Sequence, residues 1–273
     1  MADNIVLSKG MRQNLLTLQR TSDNLGVIQN RLATGLKVNS ALDDPQAFFV
    51  AQGLRARGSD LSSLLDSMGL GIQTLKAADA GIKGITKLVE TAQGLTRQAL
   101  QTTDTAVRAT LATQFDTIMT QISNIAEDAG YNGTNLLNNQ NLTVNLNEQA
   151  SNTLVLTGVD YNTATPLGIA ASAASWAADT NINAAAANLS TALTTLRSQA
   201  STFGANLTVL QTRQDFAKES ILALNAGADL LTLADQNEEG AKLLALGTRQ
   251  QLGTQALSLA NQSDQAVLRL FGG

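Results

Sequence analysis

Adjacent carboxylates at Asp43-Asp44 and Glu238-Glu239 are the side chains whose type best suits acid–base chemistry. Neighbours in sequence point to different faces of a helix, so neither pair makes a shared-proton dyad; capping and solvation account for both. Gly69-Leu-Gly71 opens like a dinucleotide fingerprint, yet Thr74 stands where the third glycine is needed and the run lies inside a helical stripe. Asp128-Ala-Gly-Tyr-Asn132-Gly133 begins like a calcium loop with glycine at the sixth position. Gly130 at the third position and Asn139 at the twelfth leave the bidentate carboxylate missing, and a turn after a helix is the better reading. The chain has no His and no Cys. That removes serine–histidine and cysteine catalysis, the usual zinc sites and disulfides. The chain is read as no enzyme, with no catalytic residue, cofactor or metal.

The elements that would have to position any site are themselves the stronger signal. Hydrophobic residues are 44% of the 273, but aromatics only 3%, so the apolar side chains are slender and suit thin helix–helix seams. A net charge of −4 without a basic run gives no footprint for nucleic acid. Nothing approaches eighteen uninterrupted apolar residues, so no membrane insertion is expected. Met1 to Gly10 has no cleavable signal pattern.

Along the chain, Leu7, Met11, Leu15, Leu18, Leu25, Ile28 and Leu32 step by threes, fours and sevens, which predicts an amphipathic helix ended by Gly35. Residues 35–44 read as a loop, and Asp44-Pro45 is a helix-start signal. A second helix to about residue 101 carries Leu61, Leu65, Met68, Ile72, Leu75, Ile82 and Val89 on one seam. It also holds Gly58, Gly69, Gly71, Gly81, Gly84 and Gly94. Each costs on the order of 1 kcal/mol relative to Ala, so neighbouring backbones are expected to pack close. A third helix is expected over about 104–129. Tyr131-Asn-Gly-Thr134 is a turn, and Leu142, Val144 and Leu146 alternate as in a strand, with Leu154-Val-Leu156 as hairpin partner. Residues 160–185 read as an exposed excursion whose removal over 162–180 is tolerated. Helical spacing resumes with Leu189, Leu193, Leu196, Phe203, Leu207 and Leu210 to about residue 224, and a last helix over about 230–271 carries Leu252, Leu259, Val267 and Leu270.

The fold expected is mainly α: an elongated antiparallel helical rod, a terminal coiled-coil pair and a small β-hairpin at the far end. Its parts are 1–44 and 230–273 as the two halves of the coiled-coil domain, and 45–229 as the rod, with the β element at about 140–160 and a variable loop at about 160–185. Seam-like end helices with little aromatic mass need partners, which invites self-association.

Arg31-Leu-Ala-Thr-Gly-Leu-Lys-Val-Asn-Ser-Ala41-Leu-Asp43-Asp44 resembles the amino-terminal run of bacterial flagellin. Ala78-Asp-Ala-Gly81 with Ile85 and Val89, Tyr131 to Leu137, Phe203 to Asn206, Ala234-Asp235 with Glu238-Glu239, and Ala256 to Gln262 with Val267-Leu268 are similar to other parts of that family. The likeness covers about 5–140 and 189–270. It implies a structural subunit that self-assembles into the extracellular flagellar filament for motility, as a short form without large outer domains. The hook–filament junction protein, a relative sharing the end helices, is the alternative. Export through the flagellar secretion apparatus without signal cleavage is implied, with a chaperone, the filament cap, junction proteins and possible other flagellins as partners. The same likeness assigns Leu7, Met11, Leu15, Leu18, Leu25, Ile28, Leu32, Leu252, Leu259, Val267 and Leu270 to packing in the filament core.

Overall fold

A computed structural model describes residues 9–161 and 167–271, except the side chains of Asp264 and of 267–271. Five long helices carry the described residues: α1 Lys9–Thr34, α2 Pro45–Leu100, α3 Thr105–Asp128, α4 Asp179–Thr232 and α5 Gln236–Phe271. Strands β1 Leu142–Asn145 and β2 Thr153–Leu156 follow α3, and a 3-10 turn at Ala173–Trp176 precedes α4. The expected mainly α architecture with a small antiparallel hairpin is the one observed. Expected start and stop residues act as anticipated. Gly35 leaves α1 at φ +71° and its N–H returns to the Arg31 carbonyl. The Asp44 carboxylate accepts the Ala47 N–H at the start of α2.

The chain forms two compact units, one from the segments up to Ala56 and from Leu224 onward, the other Arg57–Ala223. Helices α2 and α4 contribute to both.

In the Arg57–Ala223 unit, Leu61, Met68, Ile72, Leu75, Ile82 and Val89 of α2 are buried, as are Leu193, Leu196, Phe203 and Leu210 of α4. Leu65 and Leu207 are half-buried. Glycine matters here through close approach. A Cβ on Gly71 would sit 2.8 Å from Val144 of β1 and 3.2 Å from Leu210, and one on Gly81 would sit 2.6 Å from Leu137 and Ala129. Gly69 and Gly94 have open space instead, so close packing explains only part of the glycine load of α2. The hairpin pairs Leu142 with Leu156 and Val144 with Leu154. Val144 and Leu156 turn inward while Thr143 and Val155 face out, the alternation read from the sequence.

One expectation fails. Residues 160–185 are not an exposed excursion: Tyr161, Leu167, Ile169, Trp176 and Ile182 are all buried. Residues 162–166 lie outside the described part. Burial escaped the sequence pattern because the apolar residues are isolated among small ones, and because Ala174, Ser175 and Trp176 adopt positive φ near 50° rather than a helical or strand period. The Trp176 ring rests on Phe115 of α3 with centroids 5.0 Å apart. Asp116 of α3 holds the approach, accepting the Ser172 N–H and hydroxyl at 2.7 Å each. Nearby, the buried Arg108 side chain donates to the carbonyls of Ala99, Thr102 and Ala177 and pairs with Asp179, tying the ends of α2, α3 and α4 together.

Deleting 172–178 is therefore expected to destabilise the chain. Trp176→Ala should lower unfolding stability by about 3–5 kcal/mol, the usual cost of truncating a fully buried aromatic, in urea melts followed by circular dichroism.

Candidate functional site

The unit that joins α1, the start of α2, the end of α4 and α5 holds the apolar stripes singled out in the sequence. Its base is a strand-like crossing of two connections. Leu36 bridges Leu233, Lys37 N–H donates to the Thr232 carbonyl at 2.8 Å, and Ala234 N–H donates to Gly35 at 2.9 Å. The loop after α1 is held from within: the Asp43 carboxylate accepts the backbone N–H groups of Ser40 and Asn39 and the Ser40 hydroxyl. Those bonds, the Ser40 N–H foremost, hold the Asp43 carboxyl below the ordinary carboxylate range. Asp235 caps α5 by accepting from Asn237 and Glu238.

From that base α1 and α5 run side by side and antiparallel, with Arg31 beside Glu239 and Leu18 beside Gly253. On α1, Met11, Leu25 and Ile28 are buried and Leu18 and Leu32 half-buried, with Thr21 also buried between them. On α5 the facing residues are Leu243, Leu246, Gly253, Leu257 and Ala260, half-buried at steps of three, four and seven. A Cβ on Gly253 would come within 2.9 Å of Leu18, so this glycine lets the helices close. Glu239, whose side chain is 6% exposed, takes Lys242 at 3.0 Å and Arg31 at 3.5 Å on one oxygen. Hydrogen bonds to Glu238 and then Glu239 raise the Lys242 ammonium above its ordinary value.

The predicted stripe residues thus divide. Met11, Leu18, Leu25, Ile28 and Leu32 face the partner helix within the chain. Leu15, Leu252 and Leu259 do not, being 41%, 60% and 70% exposed. Leu7 lies outside the described residues, as do the side chains of Val267 and Leu270. Sequence reading missed Leu243, Leu246 and Leu257, and also the exposed Leu16, Val27 and Leu244. The signal was present for the first group. Gly253, Leu257 and Ala260 continue the seven-residue step, but Gly and Ala do not register as apolar anchors.

The end helices thus pair with each other and still show an uncovered apolar face. The model of the bacterial flagellin N-terminal helical region matches residues 7–142, and that of the C-terminal helical region matches 177–271. A flagellin of Brucella melitensis is 30% identical over 273 residues, covering 95% of either chain, and flagellin FljK of Caulobacter vibrioides is 32% identical over 269, covering 94% of each. A crystal structure of Bacillus cereus flagellin matches 57% of this chain and 88% of its own at 20% identity, with a TM-score of 0.47. The chain belongs to the bacterial flagellin family and is a structural subunit of the extracellular flagellar filament. Nothing in these matches favours the hook–filament junction protein.

Because the folded carboxyl of Asp43 ionises at lower pH than an unfolded one, its contribution to loop order is full above the unfolded value and disappears as pH falls through the folded value. The protection of the Asn39 and Ser40 amides, measured relative to their intrinsic exchange rates at each pH, should fall on acidification below about pH 4, and Asp43→Asn should flatten that dependence. An unchanged profile in the variant would count against the carboxylate's role.

Proposed function

We propose that this subunit enters the filament by laying the outward faces of α1 and α5 against neighbouring copies, so that the end helices reach full stability only in the polymer. The exposure of Leu252 and Leu259 carries the reading. Seven residues apart, they share a helix face, and that face is turned away from α1. Covering one leucine contributes about 1.5–3 kcal/mol, so a pair of such contacts per copy is decisive for a weak two-helix seam. A helix with one narrow stripe gains little in isolation, because nucleation is costly and one partner covers one face. Ordering of the ends and growth of the filament then become one coupled event.

In this reading the packing set is Leu7, Met11, Leu15, Leu18, Leu25, Ile28, Leu32, Leu252, Leu259, Val267 and Leu270. Segments 1–44 and 230–273 are assigned to the wall of the central channel and 45–229 to the rest of the subunit. The chain leaves the cell through the flagellar export apparatus without signal cleavage, escorted by a chaperone, and meets cap and junction proteins during assembly. Other flagellins sharing the filament are compatible with this role. It has no catalytic task.

Leu259→Asp puts a charge on the outward face without touching the seam inside the chain. The free chain should keep its helicity by circular dichroism, while the critical concentration for seeded polymerisation rises at least about tenfold. Leu18→Asp should impair the pair itself as well as growth. Normal filaments from Leu259→Asp in electron micrographs would refute the assigned face.

A further inference from the structure

Charge along the terminal pair is uneven, with stretches that carry only cations ending at Asp23 on α1 and at Asp264 on α5. Over 9–22 of α1 and 243–263 of α5 the charged residues are Lys9, Arg12, Arg20 and Arg249, with no carboxylate. All four are exposed, and none has a carboxylate within ion-pair distance among the described residues. The other end of the pair is different. A hollow of about 470 Å³ between the 35–44 loop and the start of α5 is lined by Asp43, Asp44, Asp235, Glu238 and Glu239, against Arg31, Lys37 and Lys242. The carboxylates exceed the cations.

Glu239 gives this hollow an unmet need. Both of its cations bind Oε1, while Oε2 is enclosed and has no hydrogen-bond partner. A buried carboxylate oxygen without a donor is costly, and a cation brought to the mouth of the hollow offsets its charge without having to reach that oxygen. A metal ion is poorly suited, since among the described residues no group of carboxylates is arranged to hold one. Among the described residues only Arg31 and Lys242 pair with Glu239, although Arg249 lines a neighbouring hollow with it; the cations of the first half of α1 are farther off. Arg12 and Arg31 lie on the same straight helix, nineteen positions apart, which is roughly 30 Å at ~1.5 Å per residue.

We propose that the hollow receives the cationic half of α1, Lys9 to Arg20, from a second copy of the chain, so that copies associate displaced along the axis of the terminal pair. In-register, parallel copies would set cations beside cations and acids beside acids. Displacement sets unlike blocks together, which fixes register and speeds encounter as well as adding affinity. The inference rests on the filament reading and names which surface of one copy meets which surface of the next.

Two variants and their combination test it. Lys9→Glu, Arg12→Glu and Arg20→Glu together invert the cationic half of α1. Asp44→Asn, Asp235→Asn and Glu238→Gln together make the hollow cationic while retaining side chains that still cap α2 and α5. Each triple variant should polymerise with a critical concentration raised at least about tenfold at low ionic strength, and added salt should narrow that gap. The combined six-fold variant restores unlike blocks and should recover most of the loss. Circular dichroism of each free chain confirms that the helices are intact. Triple variants that are folded and polymerise like the parent, or a combination no better than its parts, would overturn the charge register alone. Failure of the unaltered chain to polymerise onto seeds would overturn the filament reading with it.

Discussion

Two helices in contact can cover only one face of each, and the unit that contains α1 and α5 is organised around that limit. The seam uses Met11, Leu25 and Ile28 from one helix and Leu243, Leu246 and Leu257 from the other, with Gly253 admitting Leu18. What remains outward includes Leu15, Leu252 and Leu259, in numbers a small isolated unit cannot bury. In the proposed reading these are the residues available to a neighbouring copy.

The base of that unit is held in another way. Hydrogen bonds between the 35–38 and 230–234 connections, the Asp43 clasp on Asn39 and Ser40, and the Asp235 cap fix where α1 ends and α5 begins. These contacts are directional and short-ranged, so they fix the register of the pair at its base. Beyond the base the described contacts of the pair are mainly apolar, Leu18, Leu25 and Ile28 among them.

The Arg57–Ala223 unit is built on the opposite principle. Its seams are closed on several sides: β1 and α4 press on α2 at Gly71, Leu137 presses at Gly81, and Trp176 fills the space beside Phe115. Arg108 gathers the carbonyl ends of neighbouring elements into one buried hub. The two units thus differ in how they are packed: slender aliphatic stripes form the seam of α1 with α5, while Phe115, Phe203 and Trp176 are buried in the Arg57–Ala223 unit.

Local chemistry made much of this legible from residues alone. Gly35, Asp44-Pro45, the Tyr131–Thr134 turn and the alternation in Leu142–Val144 each depend on neighbours within a few positions, so the chain states them directly. The apolar steps also announced the helices and the α2 and α4 seams. Two matters lay beyond that range. Periodicity shows that a stripe exists but not which of its leucines meets a partner in the same molecule: Leu25 and Leu259 look alike in sequence, and only the crossing of α1 with α5 buries one and leaves the other bare. Trp176, in a run without any period, is interior solely because Phe115 and Ser172's partner Asp116 come from a helix more than fifty residues earlier. Spacing along one chain encodes short-range geometry, whereas burial is decided by elements that only folding brings together.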